Sequence, residues 1–199
     1  MAQGIVENLK VKLGSEGENG AHLVKRYTED PEAHSLYLKG LFYINRYTPE
    51  DLANGRECLE AAVVKEPLHA RAWVQLAEYY IHRGMGAVPP SAAMPQALDA
   101  AQRAVAADPS LGAAHAATAM VMAFYQHRWR EALAQVQAAA HLPPSVWYYI
   151  WSGVVHWSNG KFEEAVRHIQ RALELDPLSF IAHHLLALFY NQTDRKSVV

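Results

Sequence analysis

Eleven histidines, one cysteine and five tryptophans raise the question of chemistry before that of fold. A helical metal site needs two ligands three or four residues apart on one face, with a third nearby. No histidine pair has that spacing: His22, His34, His69, His82, His115, His127, His141, His156 and His168 are far apart in the chain. His183 and His184 are adjacent, so on a helix they point about 100° apart. Packing and surface roles are the expectation for all eleven, with no metal site. Cys58 sits beside Leu59 with no basic residue to lower its pKa, which predicts an inert thiol. Glu163-Glu164 and the pair Glu57 and Glu60 read as solvated helix faces rather than catalytic carboxylates. Trp129, Trp147, Trp151 and Trp157 could stack on bases or sugars, but base stacking needs a basic groove. Lys+Arg is 18 against 20 Asp+Glu, a net charge of −2 with the signs interspersed, so no nucleic-acid footprint is present. Gly-rich phosphate loops, nucleophile elbows and nucleotide fingerprints are absent as well. The expectation is a protein without catalysis and without a cofactor.

The elements that position these residues announce themselves through proline. Glu66-Pro67, Asp108-Pro109, Pro143-Pro144 and Asp176-Pro177 each close an alanine-rich, helix-period segment, with intervals between the final prolines of 42, 35 and 33 residues. Proline lacks the N–H and crowds the preceding turn, so its recurrence marks recurrent helix ends. Before each proline comes one pattern of small, larger apolar and small residues, spaced four and then three. It reads Gly55, Leu59, Ala62; Ala97, Ala101, Ala104; Ala132, Val136, Ala139; and Ala165, Ile169, Ala172. That spacing places all three on one helix face, where small residues admit a second helix.

A preceding helix is legible in each unit. Trp73, Leu76, Ala77 and Tyr80 reproduce the pattern W-x2-L-G/A-x2-Y, Gly40 and Tyr43 keep its second half, and His183, Leu186, Ala187 and Tyr190 give a weaker copy. Tyr149, Gly153 and His156 form another, and His115, Thr118, Ala119 and Met122 the most degenerate. With a period of about 34 residues, the chain resembles the tetratricopeptide repeat family. The resemblance implies an all-α, right-handed superhelical solenoid of helical hairpins. Four hairpins and one unpaired helix are expected over residues 31–192, after linker helices in 1–30 and before a frayed tail in 193–199. The insertion Gly84 to Pro90 is expected to project as a surface loop because of its Gly and Pro content.

A second resemblance lies in Lys25-Arg26-Tyr27-Thr28-Glu29-Asp30-Pro31-Glu32-Ala33, Tyr37-Leu38-Lys39-Gly40 and Thr48-Pro49-Glu50-Asp51-Leu52. These runs are similar to the start of the tetratricopeptide half of large bacterial regulators, where it follows a winged-helix or serine/threonine kinase domain. Ile5, Leu9 and Leu13 share one face of a segment similar to the joining helix. A regulatory fragment in the cytoplasm is implied. No apolar stretch reaches membrane-spanning length.

First helices of such arrays line the concave side. Aligning the units puts Tyr37, Leu41 and Ile44 there from the first, and Val74, Glu78 and Ile81 from the second. Met120, Ala123 and Phe124 follow from the third, then Trp147, Ile150, Val154 and Trp157 from the fourth. The expected function is a protein-interaction scaffold holding a peptide or helical segment in an apolar groove. The alternative is a small-molecule sensor whose aromatic concave face encloses a ligand; an enclosed apolar cavity with a few polar groups would favour it. Tetratricopeptide domains that clamp acidic chaperone tails use cationic and amide donors, but the matching positions are Tyr37, Leu41, Gln75, Ala113 and Ala117, so that partner is not expected. Self-association is expected through the carboxy-terminal helix, by way of Ile181, Leu185, Leu188 and Phe189.

Overall fold

The computed structural model describes residues 30–46 and 48–196, with side chains through residue 192; the linker helices expected before residue 30 lie outside the described residues. Among the described residues nine α-helices run in order: α1 (Pro31–Ile44), α2 (Pro49–Lys65), α3 (Ala70–His82), α4 (Pro90–Ala107), α5 (Gly112–Phe124), α6 (Trp129–Ala138), α7 (Val146–Ser158), α8 (Phe162–Leu175) and α9 (Phe180–Lys196). No strand occurs among these residues. Helices pair as antiparallel hairpins, α1 with α2, α3 with α4, α5 with α6 and α7 with α8, and α9 packs on α8.

The helix ends follow from local chemistry. Asp30 caps α1 by accepting from the N–H groups of Glu32 and Ala33, with Pro31 in the first turn. Thr48 caps α2 by accepting from Asp51 N–H at 3.1 Å, and its hydroxyl donates to the Asp51 carboxylate at 2.8 Å. At the other ends Glu66, Asp108 and Asp176 turn to extended or near-extended backbone while their N–H groups still reach Ala62, Ala104 and Ala172. Asp108 and Asp176 then accept from the N–H two residues on, which fixes the turn into the next hairpin.

The prolines have a second use. Trp73 Nε1–H donates to the Pro67 carbonyl at 2.9 Å, and His115 and His183 place Nε2 at 2.9 Å from the carbonyls of Pro109 and Pro177. All three are the same clasp, six residues from aromatic ring to proline. A carbonyl only accepts, so each histidine carries its proton on Nε2. That explains how histidine can replace tryptophan at the first position of the repeat pattern in these units: either ring offers an N–H to the proline carbonyl.

Within hairpins the small residues set the spacing. A Cβ on Gly40 would lie 2.7 Å from Leu59 Cγ and 3.2 Å from the Gly55 carbonyl oxygen; one on Gly153 would lie 2.7 Å from Ile169 Cδ1 and 3.2 Å from the Ala165 oxygen. Gly55, Ala62, Ala97, Ala104, Ala132, Ala139, Ala165 and Ala172 are all buried, as their spacing predicts. Helix α5, rich in alanine, is buried on nearly every side and packs against α3, α4, α6 and α7. Between hairpins, the Tyr80 hydroxyl donates to Glu60 Oε1 at 2.9 Å, and burial with this partner pushes it up to about 12.

The insertion after α3 departs from expectation. Arg83–Ala87 continues the helix as a π-helical turn, with Val88 N–H donating to the Arg83 carbonyl at 3.0 Å. Gly84 is buried because Met94 and Ala93 of α4 press on it, and a Cβ there would lie 2.9 Å from Met94 Cε. Packing on α4 therefore holds Gly84 and half-buries Val88 in a segment whose composition alone reads as loop; Met85, Gly86, Ala87, Pro89 and Pro90 are exposed.

The turns into α6 and α8 are equivalent, and each needs a left-handed residue two positions before its helix. Gly160 supplies it with φ +73°, whereas His127 supplies it with φ +57°. A side chain in this region is strained by about 1–2 kcal/mol, partly offset by the greater freedom of glycine when unfolded. Replacing His127 with Gly should raise stability by about 0.5–1 kcal/mol in urea denaturation; a loss of stability would show that the His127 ring, 5.8 Å from Trp129, contributes more than the strain costs.

Candidate functional site

Helices α1, α3 and α7 converge on a cavity of about 150 Å³. Ile44 and Asn45 contribute from the end of α1, Gln75, Glu78, Tyr79 and His82 from α3, and Trp147 from the start of α7. Arg83 and Ala87 reach it from the π-helical turn. Residues 75, 78, 79 and 82 follow helical spacing, so one face of α3 forms the floor.

Glu78 is 3% exposed. Gln75 Nε2 donates to its Oε2 at 2.9 Å, while Oε1 is buried without a partner. Burial pushes the carboxyl well above the usual carboxylate range, with the Gln75 bond opposing weakly. Burial thus favours the protonated form of Glu78. One turn on, His82 Nδ1 bonds the Glu78 carbonyl at 2.9 Å, and burial lowers its pKa. Its ring meets those of Trp147 and Trp151 edge-on or tilted, with centroids 5.5 Å away in both cases, and the two indoles stack at 5.6 Å. The second hairpin thus touches the fourth across the small side chains of α5.

The residues expected to line an open groove divide. Tyr37, Leu41, Ile44, Trp147 and Val154 are half-buried and Phe124 is 41% exposed, so they reach the surface. Val74, Ile81, Met120, Ala123 and Ile150 do not: each is 6% exposed or less. Val74 packs with Ala104 and Ala114, and the others lie in the main core. The reason is curvature. Helices α3, α5 and α7 sit close enough to bury the faces they turn toward one another, and the repeat pattern carries no measure of that angle. Glu78 lines the cavity but is buried rather than surface-exposed. Trp157 is turned away toward α9, stacked on Phe189 at 4.2 Å and 4° and edge-on to Phe162. Phe189, expected on an exposed face, is accordingly 2% exposed.

A second cluster escaped the spacing search because its members lie on different helices. His156 of α7 and His168 of α8 stack at 4.5 Å. His156 Nδ1 bonds the Ser152 carbonyl at 2.8 Å, and His168 Nδ1 is buried without a partner. Burial, and then the neighbouring His156 and Arg167, lower His168 to about 4. Among the described residues no group of three His, Cys, Asp or Glu could hold a metal ion. No helix among them is long and apolar enough to cross a membrane.

The histidine pair makes stability depend on pH with a definite sign. The folded pKa lies below the unfolded value of about 6.5, so the unfolded chain binds the extra proton. The stabilisation is complete above about pH 6.5 and is lost as pH falls toward 4. Urea melts at pH 7 and pH 5 should show this loss, and His168→Phe should flatten it. An unchanged pH dependence in that variant would remove His168 from the account.

Comparison with known proteins agrees with the architecture. The sequence profile of the tetratricopeptide repeat matches residues 146–179, which span α7, α8 and the turn after it. No curated protein matches the sequence. Among solved structures, TTC0263, a thermophilic TPR protein of Thermus thermophilus, superposes with a TM-score of 0.61 at 18% identity, over 80% of this chain and 82% of its own. PilW, a type IV pilus biogenesis factor, gives 0.57 at 17% identity, over 80% and 69%. A monomeric IFIT1 mutant with Gppp-AAAA gives 0.67 at 16% identity, over 81% of this chain and 35% of its own. Periodicity, hairpin packing and these matches agree that the chain is an all-α solenoid of tetratricopeptide-type hairpins, with residues 146–179 a tetratricopeptide repeat in sequence as well as in shape.

Proposed function

We propose that the chain is a protein-interaction scaffold that receives a short apolar segment of another polypeptide on its concave side, as the regulatory part of a larger bacterial protein. One observation carries the reading: Ile44 of α1 and Trp147 of α7, distant in sequence, line one cavity. Tyr37 and Leu41 share the Ile44 face of α1, and Val154 lies two turns beyond Trp147 on α7, all half-buried. Large apolar side chains at a partly open concavity dominate binding energy once a partner excludes water. An acidic tail does not suit this surface, since the Gln75 amide is engaged by Glu78 and Ala117 is buried. Self-association is assigned to α9 and the turn before it, where Leu178 and Phe180 are 90% and 80% exposed and Leu188 is 40% exposed. Sedimentation should then show a concentration-dependent dimer that Phe180→Glu weakens, and a strict monomer at high concentration would remove this assignment.

A specific feature favours a second reading, a small-molecule sensor: the cavity is compact, mostly apolar and carries a few inward polar groups.

The scaffold reading is tested by panning a displayed peptide library against the chain. Enriched peptides should carry large apolar residues, and Leu41→Glu and Trp147→Ala should each weaken their binding by about tenfold or more. Leu41→Glu should leave the helical melt almost unchanged. Failure to enrich any peptide, or binding indifferent to both substitutions, would rule out this surface as the partner site.

A further inference from the structure

The cavity between α1, α3 and α7 has a charge pattern that apolar docking does not require. Glu78 brings a carboxyl whose Oε1 is buried and unpartnered. Buried polar atoms are nearly always satisfied, and an orphan that belongs to a cavity-lining side chain marks a place where a water, an ion or a ligand can pair with it. Arg83 lines the same cavity and forms no ion pair among the described residues. An acidic and a basic side chain thus border one small space without pairing with each other. The wall between them is apolar and aromatic, from Ile44, Leu52 and Trp147. Arg83 is carried by the π-helical turn, a distortion that π-turns commonly place at functional sites.

We propose that this cavity binds a small zwitterion, an aliphatic α-amino acid, with its ammonium at Glu78, its carboxylate at Arg83 and its side chain against Ile44, Leu52 and Trp147. The inference rests on the sensor reading above. A lone amine would meet the positive Arg83, and a lone carboxylate would find no cation at Glu78; a zwitterion answers both groups. An ammonium beside Glu78 supplies the charge that favours the ionised carboxylate despite burial. Arg83 offers the planar fork that suits a carboxylate. Size agrees too. A cavity of about 150 Å³ is one that holds a benzene-sized guest in an engineered protein, which suits a ligand of the size of a small aliphatic amino acid.

The test is calorimetry on the full chain with L-alanine, L-valine and L-leucine, followed by 3-methylbutylamine and 4-methylpentanoate, which keep the leucine skeleton but lose one charge each. At least one amino acid should bind, shift tryptophan fluorescence and raise the melting temperature. Each one-charge analogue should bind at least about tenfold more weakly, because a site built for a polar group leaves its own groups unpaired without it. Glu78→Gln and Arg83→Met should each cost a similar factor. If an analogue binds as tightly as the amino acid, the zwitterion is wrong and the sensor reading survives. If none of the five binds, the inference falls outright, and the peptide experiment stands apart from it. The analogue comparison uses the unsubstituted chain, so it decides the matter even where a variant fails to fold.

Discussion

Everything in this fold depends on how closely two helices can approach within a hairpin. Where Gly40 meets Gly55 and Gly153 meets Ala165, the backbones are near enough that one added methyl would collide. Close approach lets a large residue such as Leu59 or Ile169 fill the remaining gap, and each is fully buried. It also leaves each hairpin with an uncovered flank that only the next hairpin can bury, which is why stability in such arrays sums over units and interfaces. The alanine-rich α5 takes the principle furthest. Having almost no side chain to accommodate, it lets four helices close around it.

Much of this was legible in the chain itself. The small-large-small triplets identified the inner face of every second helix, and the acidic-proline pairs identified where α2, α4 and α8 stop. Even the substitution of histidine for tryptophan at the head of α5 and α9 makes sense once the acceptor six residues earlier is considered. Curvature was not legible. It emerges from the summed angles between hairpins, and no single residue encodes it. That is why Val74, Ile81, Met120 and Ile150, which the alignment of the repeats assigns to the groove, are enclosed by neighbouring helices. The π-helical turn was hidden for a related reason, since Gly84 is secured by Met94 and Ala93, ten and nine residues further on.

The buried polar groups show the same limit. Sequence spacing tests ligands along one helix, whereas His156 and His168 meet across two. Glu78 sits between Ala77 and Tyr79 with nothing local to mark it, and its environment is made by the arrival of α1 and α7. A carboxyl, an imidazole and a guanidinium gathered on one apolar floor are costly to hold without partners. The chemistry of the cavity thus belongs to the assembled superhelix rather than to any of its repeats.

The contact of His82 with Trp147 and Trp151 changes the mechanics of the array. A solenoid whose units touch only their neighbours behaves as a spring: a pull on its ends is shared as small rotations at every joint. Here the second unit is also latched to the fourth. The intervening joints cannot open by much until those rings separate, so extension begins with a threshold instead of a gradual give. The hairpins from α3 to α7 are thereby tied together, and compliance is left to the joints outside that latch.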